Sequence, residues 1–181
     1  MGFYTANDVT SPAGTASAKI KTGLAASAWI GNHANNHWGG EFRYNYQRSD
    51  MGLSQGSTQA SFAGDSHSLS YDFLYHFKDS EYQVRPFVAF GGGIKSFRGT
   101  GQEVLVQPLS RIALLTKAQD VVPMISVAAG FKVRLSASTM LRLDIHDFIT
   151  PFPKEVIVPN GGKASGWTNN LVPMIGLAWT K

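Results

Sequence analysis

The sequence has no cysteine, few charged residues and no long apolar run. Without cysteine, the chain forms neither disulfide bonds nor thiolate metal sites. Charged residues make up 15% of the chain, whereas about 25% is usual in soluble proteins. No run of about 18 apolar residues is present, which excludes a transmembrane helix.

The composition that remains is typical of a β-rich domain. The 181 residues include 19 glycines, and aromatic residues make up 12% of the chain. Abundant glycine and aromatics without helical periodicity predict one all-β domain with many turns. The net charge is +4, but the lysines and arginines are scattered, with no basic run between aromatics. We therefore predict no nucleic-acid partner, and attraction to anionic lipid explains the charge equally well.

The clearest secondary-structure signal is Ser66–Phe77, with the sequence SHSLSYDFLYHF. Alternate positions carry bulky apolar or aromatic side chains, and most of the others are polar, a period of two that predicts a β-strand. An average strand in a globular protein has about 5 or 6 residues. A tilted strand that crosses a bilayer needs about 9–11 residues, so the length of this segment favours a membrane strand.

The same alternation predicts eight strands along the chain. They comprise residues 2–8, 18–30, 38–48, 66–77, 82–97, 121–135, 139–149 and 167–180. Short turns (31–37, 78–81 and 136–138) alternate with long loops (49–61, 98–120 and 150–166), as in outer-membrane barrels. We therefore predict an all-β fold, an eight-stranded up-and-down antiparallel transmembrane β-barrel with a shortened first strand.

The two faces of these strands differ in chemistry. One face is apolar, and the other carries charges of both signs that we predict to form a polar network in the lumen. An eight-stranded barrel is just wide enough to be filled by its side chains, and a buried charge without a partner is costly. The predicted lumen network consists of Glu41, Arg43, Asp72, Arg85, Lys132, Arg142 and Asp144.

Aromatic residues cluster near both ends of the predicted strands, where they would form two girdles at the membrane interfaces. The girdle at the short-turn end is predicted to contain Trp29, Trp38, Tyr75, Phe77, Tyr82 and Trp179. The girdle at the loop end is predicted to contain Tyr44, Tyr46, Phe62, Phe97, Phe148 and Trp167.

The long loop 98–120 is the best candidate for a specific role. Pro108 suits the first turn of a helix, and the apolar spacing of Leu109, Ile112 and Leu115 predicts a short helix from Pro108 to Gln119. The loop could cap the mouth of the barrel, lie on the outer leaflet, hold a partner or fold onto itself. Its apolar residues are Val104, Leu105, Val106, Ile112, Leu114 and Leu115, besides Leu109.

The segments WGGEFRYNYQ, VRPFVAFGGGIK, LLTK and DFITPFP are similar to barrels of Acidobacteria-like bacteria. Across nearly its whole length, the chain resembles the small eight-stranded outer-membrane barrels of the OmpA and OmpX type. Gly176 and Trp179 match the terminal assembly signal of that family, whereas Lys181 departs from it. The resemblance implies a monomer in the bacterial outer membrane that contacts membrane lipid, lipopolysaccharide and the outer-membrane assembly machinery.

Candidate catalytic and metal-binding groups are present but poorly arranged. His33 and His37 have a ligand-like spacing only on a helix, and they lie in an asparagine-rich turn, so we predict no metal site and no cofactor. Ingredients for acid-base or nucleophilic chemistry are His67, Ser70, Asp72, His76, Asp144 and His146.

Some barrels that resemble this chain are lipid A deacylases, in which a serine follows the histidine by two residues. Here Leu69 occupies that position after His67. We therefore predict that the chain is not an enzyme. The expected role is structural or surface-binding, with at most a narrow passage for small solutes. The alternatives are a soluble lipocalin-like barrel that binds an apolar ligand and an outer-membrane lipid-modifying enzyme.

Overall fold

The computed structural model describes residues 1–104 and 106–179, and in these residues it contains β-strands, turns and loops but no helix. The all-β prediction is confirmed. Leu105, Thr180 and Lys181, which appear in the predictions above, lie outside the described residues. The strands are β1 (Phe3–Tyr4), β2 (Ala6–Ser11), β3 (Gly14–Ile20), β4 (Ala25–His33), β5 (Trp38–Arg48), β6 (Met51–Gln55), β7 (Thr58–Phe62), β8 (Gly64–His76), β9 (Val84–Gly99), β10 (Ala113–Leu115), β11 (Gln119–Arg134), β12 (Thr139–Pro151), β13 (Ile157–Pro159), β14 (Lys163–Ala164) and β15 (Trp167–Trp179).

Eight strands form a large antiparallel sheet in the order β1-β15-β12-β11-β9-β8-β5-β4. From β4 to β15 each strand pairs with the next one of this sheet along the chain, and β1 lies beside β15. The sheet curls strongly. This is evident from the hydrogen bond between Arg142 on β12 and Glu41 on β5, two strands that are separated by three others in the sheet. Gly2 and Gly23 form a single bridge between the two edges of the sheet at the end nearest the long loops.

The period-two pattern of the sequence separates the two faces of the curled sheet. On β8, Ser68, Ser70 and Asp72 are buried on the inner face, whereas Leu69 and Phe73 are exposed on the outer face. Successive side chains of a strand leave opposite faces of the backbone. The inner face is therefore polar and charged, and the outer face is apolar.

A second unit, which we call the cap, lies at the loop end of the curled sheet. It consists of the five-stranded sheet β14-β2-β3-β6-β7 and the two-stranded ladder β10-β13. Its core is apolar, with Val9, Met51 and Val156 fully buried. Tyr4, Phe97 and Val122 of the curled sheet join this core. Apolar burial of the usual kind therefore stabilises the cap, and it also joins the cap to the curled sheet.

Three predictions near the cap are wrong. The predicted strand 18–30 is two strands, because Ile20 ends β3 in the cap core and Ala25 begins β4 in the large sheet. The predicted strand 2–8 divides in the same way between β1 and β2. The predicted loop 49–61 is largely a hairpin, β6–β7, in which Met51 pairs with Phe62 and both side chains enter the cap core.

The helix predicted for residues 108–119 is not formed. Leu109 has a φ of 66°, a left-handed conformation that a helix cannot contain. Ala113–Leu115 instead pairs with Ile157–Pro159. Ile112 and Leu115 are buried in this region, so their apolar spacing reflects packing within the cap rather than a helix face.

Ile157 tests whether the cap core holds the cap together. The Ile157→Ala change removes buried apolar volume and should lower the free energy of unfolding by about 2–5 kcal/mol. Leu114→Ala is the matched control, because Leu114 lies on the partner strand β10 with an exposed side chain, and it should cost less than about 1 kcal/mol. Chemical unfolding in detergent measures both; equal losses would show that the cap core contributes little.

Candidate functional site

A cluster of two arginines and two carboxylates lies at the centre of the inner face. Glu41 is the shared acceptor: Arg43 Nη2 donates to its Oε1 at 2.7 Å, and Arg142 Nη1 donates to its Oε2 at 2.6 Å. Arg142 Nε also donates to Asp144 Oδ2 at 2.7 Å, and Arg43 Nη2 lies 3.7 Å from the same oxygen. All four residues are buried. We call these residues the ion network.

The β-strand period explains how four charges meet. Glu41 and Arg43 are two residues apart on β5, and Arg142 and Asp144 are two apart on β12, so each pair faces inward together. The curl of the sheet then brings β5 and β12 into contact. Breaking a pair of this kind would leave an uncompensated buried charge, so the ion network fixes the distance between opposite walls.

Aromatic rings surround the guanidinium groups. The Trp29 ring centroid lies 5.0 Å from Arg43 Cζ and 5.3 Å from Arg142 Cζ, and the Phe87 ring lies 4.6 Å from Arg142 Cζ. Cation–π attraction favours these positions, and the rings exclude solvent from the charges. Trp29, which we predicted to join a girdle, therefore lies inside; that prediction is wrong.

The other predicted lumen residues do not join the ion network. Asp72 accepts a hydrogen bond from Ser70 Oγ at 3.1 Å. Arg85 donates to the backbone oxygens of Asn36 and Lys78 at 2.7 and 3.2 Å. The Lys132 ammonium lies 5.5 Å from the Phe87 ring. Within residues 1–104 and 106–179, neither Arg85 nor Lys132 forms an ion pair with a carboxylate.

Lys95 is an inner-face charge that the predicted network omitted. It is fully buried, and its Nζ lies 4.8, 5.2 and 5.6 Å from the rings of Tyr4, Phe97 and Phe148. Lys95 and Arg85 both occupy odd-numbered positions of β9, so the period of two could have placed Lys95 on the inner face together with Arg85.

Phe97 shares the odd position on β9, and Phe148 shares the even position of Arg142 and Asp144 on β12, so both are buried on the inner face. Phe62 is buried in the cap core. The girdle prediction is wrong for these three residues.

Further polar side chains extend the polar lining towards the cap. Asn170 Nδ2 donates to Gln47 Oε1 at 2.8 Å, again across the sheet from β15 to β5. The Tyr4 hydroxyl lies 2.9 Å from Ser49 Oγ and 3.2 Å from Ser66 Oγ. Polar contacts thus cross the interior at several levels, which favours a filled interior over an open channel.

The remaining predicted girdle residues lie on the outer face. Trp38, Phe77, Tyr82, Trp179, Tyr44, Tyr46 and Trp167 are exposed, and Tyr75 is half-buried against Trp38. This placement gives them the accessibility that an interfacial role requires.

Three buried ligand groups come close enough together to hold a metal ion. One ligand atom each from Glu41, Asp72 and His146 lies within 4.8 Å of the other two. However, both Glu41 oxygens already accept hydrogen bonds from Arg43 and Arg142, so a cation would have to displace a guanidinium. His37, which we considered above as a possible metal ligand, is not part of this group. Its Nδ1 lies 2.8 Å from the backbone oxygen of His76.

The candidate catalytic groups do not assemble into a nucleophile and base. Ser70 Oγ donates to Asp72 rather than to a histidine. His67 lies on the outer face with its Nδ1 2.7 Å from the Tyr44 hydroxyl, and His146 Nδ1 lies 3.4 Å from Asp144. In the described part of the chain, no serine–histidine hydrogen bond is formed. The arrangement therefore suits charge pairing between walls better than catalysis.

A cavity of about 750 Å³ opens between β4 and β15, the two strands that face each other across the unfilled part of the curl. Trp29, Ile30 and Leu177 line its walls, and Lys132 and His76 lie at its inner end. Its lining therefore includes residues of both the interior and the outer face.

In the residues that the structure describes, no α-helix is long and apolar enough to cross a membrane. Neither a protein-family model nor a curated protein matches the chain.

Arg142 tests the ion network. The Arg142→Ala change leaves Glu41 with one arginine partner and removes the 2.7 Å hydrogen bond to Asp144, whose nearest remaining arginine atom is 3.7 Å away. Unfolding in detergent should therefore show a loss of about 3–5 kcal/mol. Arg98→Ala is the control, because Arg98 pairs with Asp65 through two hydrogen bonds while its side chain is 50% exposed. Its loss should be clearly smaller. Equal losses for the two variants would contradict a buried network that holds the walls together.

Proposed function

We propose that the chain is an outer-membrane β-barrel protein with a structural or surface-binding role. In this proposal the curled sheet spans the bilayer as an eight-stranded barrel, and its polar filling allows at most a narrow passage of small solutes. The observation that carries the proposal is the inverted distribution of polarity. A soluble barrel buries apolar side chains and exposes charge, whereas this sheet buries its charges and exposes its apolar side chains.

The outer face supports a bilayer environment because its apolar residues are continuous from strand to strand. Phe73, Phe90 and Val127 are neighbours on β8, β9 and β11, and all three are exposed. A contiguous apolar surface of this kind is rare on soluble monomers. In hydrocarbon it is favourable, and between these paired strands the antiparallel ladders satisfy the backbone groups that no water reaches.

A polar row marks the boundary between this apolar surface and the cap. Arg48, Asp65, Arg98 and Gln119 are register partners on four neighbouring strands. Tyr44 and Tyr46 lie just inside that boundary, where amphipathic rings favour the interface. The cap would then project from the membrane at the loop end, as a folded unit with its own apolar core.

The folded cap favours the surface-binding part of the proposal. Of the alternatives for the 98–120 loop, capping the mouth is the one that the contacts support, because Ala113–Leu115 pairs with Ile157–Pro159 of the next long loop and its buried side chains join the cap core. Val104 and Val106 stay exposed. A rigid platform that presents loops is a common arrangement for binding sites.

The two alternatives are less well supported. A lipocalin-like protein needs an apolar interior for its ligand, and the ion network occupies the centre of this interior. A lipid-modifying enzyme needs a nucleophile within hydrogen-bond reach of a base, and Ser70 is instead bonded to Asp72.

The proposal is tested by gel migration and by conductance. The purified protein should need detergent, should migrate differently before and after boiling, and should give little conductance in a planar bilayer. Migration unchanged by boiling together with solubility in buffer alone would favour the soluble alternative. A large steady conductance would contradict the filled interior while leaving the barrel itself intact.

Phe90 separates the membrane proposal from the soluble alternative. It is 64% exposed at the middle of the apolar outer face. If that face contacts lipid, Phe90→Arg should destabilise the folded protein in vesicles by about 2–4 kcal/mol. Thr58→Arg, at an exposed position in the cap, is the control and should have little effect. A soluble barrel would instead tolerate Phe90→Arg or become more soluble.

A further inference from the structure

The two edges of the large sheet, β4 and β15, leave an opening between them. At the loop end the opening is filled, because β1 pairs with β15 and Gly2 bridges to Gly23. Beyond β1, towards the short-turn end, Ala25–His33 pairs only with β5 and residues 173–179 pair only with β12, as far as the described residues go. We call this opening, which contains the cavity between β4 and β15, the lane.

The register set by β1 shows that one strand fits both edges. Phe3 pairs with Leu171, and Gly2 bridges to Gly23. Suppose that a strand continues from β1 along the lane, antiparallel and in the same two registers. One of its residues then lies opposite both Ile175 and Ala26, and the residue two positions further lies opposite both Leu177 and Ala28. All four of these side chains lie on the outer face. A strand in the lane would therefore alternate correctly against both neighbours at once.

Side chains at the lane define what the strand must carry. A Cβ added at Gly176 would overlap the Trp29 ring, so the inner positions of an occupant beside it must be small. The outer positions adjoin Ile30 and Ile175, which are 76% and 75% exposed. Apolar side chains placed there would extend the apolar outer face across the opening.

Backbone chemistry favours a polypeptide over lipid as the occupant. Edge strands present unpaired N–H and C=O groups, and in hydrocarbon each such group costs several kcal/mol. An acyl chain cannot form these hydrogen bonds, whereas an added strand forms them with both edges, as in β-augmentation. The hydrocarbon part of this reasoning rests on the proposed membrane location; the register and the side-chain fit do not.

We propose that the lane binds one extended polypeptide strand, in line with β1 and antiparallel to both β4 and β15, with small inner and apolar outer side chains. The strand completes the ring of backbone pairing. Its seat is continuous with the pairing that β1 already makes with β15.

A tethered strand tests the proposal in the cysteine-free chain. The full chain is extended before Met1 by the hexapeptide Val-Ala-Cys-Gly-Leu-Ser, whose cysteine the β1 register places opposite Leu177. This protein carries either Leu177→Cys or the control Val127→Cys. Val127 is similarly exposed, at 42% against 48% for Leu177, but both of its neighbouring strands are already paired. Folded protein in detergent is treated with a short bis-maleimide.

The expected result is a several-fold higher yield of intramolecular cross-link at Leu177→Cys than at Val127→Cys. An extension with proline in place of its valine and leucine should lose that difference, because proline cannot donate to a ladder. Equal yields at the two sites in protein that still migrates as folded before boiling would overturn the proposal. So would cross-linked dimers of the unextended Leu177→Cys chain, which would make a second copy the occupant.

A lipid occupant gives a different result. A fluorescent probe is attached to the cysteine of the Leu177→Cys protein, and its contact with a pyrene-labelled phospholipid is measured without the extension and with an extension whose cysteine is replaced by serine. If the contact is equal in the two proteins, lipid fills the lane and the proposal is wrong. Loss of that contact on extension supports it. If the membrane proposal alone fails, the protein is soluble without detergent, and the cross-linking experiment is carried out in buffer with the same expected difference.

Discussion

The fold depends on pairing two buried arginines with two buried carboxylates between opposite walls. Arg142 donates to Glu41 and Asp144 at once, and Arg43 shares Glu41. Buried charges are tolerated only with such partners, because desolvation is costly. A slip of β5 or β12 by one residue would turn these side chains to the outer face. The ion network therefore constrains both the curl of the sheet and the register of its strands.

This constraint gives the molecule two interiors of opposite polarity. The curled sheet buries charged and polar groups together with small apolar clusters around Phe87 and Phe148, whereas the core of the cap is apolar, with Val9, Met51 and Val156. Tyr4 lies at the junction, where its ring packs in the cap core and its hydroxyl reaches Ser49 and Ser66. The low fraction of charged residues follows, because apolar side chains supply both the cap core and the whole outer face.

The sequence predicts most of the curled sheet well because its long strands other than β4 each show alternating polar and apolar side chains. Inner and outer faces differ so strongly in polarity that alternation alone locates β8, β9, β11, β12 and β15 to within a few residues. The ion network was predictable as a set of inward charges. Which charges pair was not, since that depends on the curl: Lys132 is the register partner of Arg142, and Arg85 that of Lys132, yet neither pairs with a carboxylate in the described residues.

The cap was not predictable by the same reasoning because its strands are short and their partners are distant in sequence. Gly52 and Ser54 conceal the alternation of Met51 and Leu53, so the β6–β7 hairpin resembles a polar loop. Ile112 and Leu115 have helix-like spacing, yet their burial arises from β13, which lies about 40 residues further along the chain. Local periodicity cannot distinguish such packing from a helix face.

The filled interior determines where function can reside. With Glu41, Arg43 and Arg142 occupying the centre, a solute has no wide route along the axis, and for this reason our proposal directs binding to surfaces. Two remain: the cap, which is folded and presents its own loops, and the lane, which exposes backbone groups of both β4 and β15. The cap is stabilised by its own apolar core. The proposed strand in the lane follows from the opposite situation, because unpaired strand edges are either covered or become sites of association.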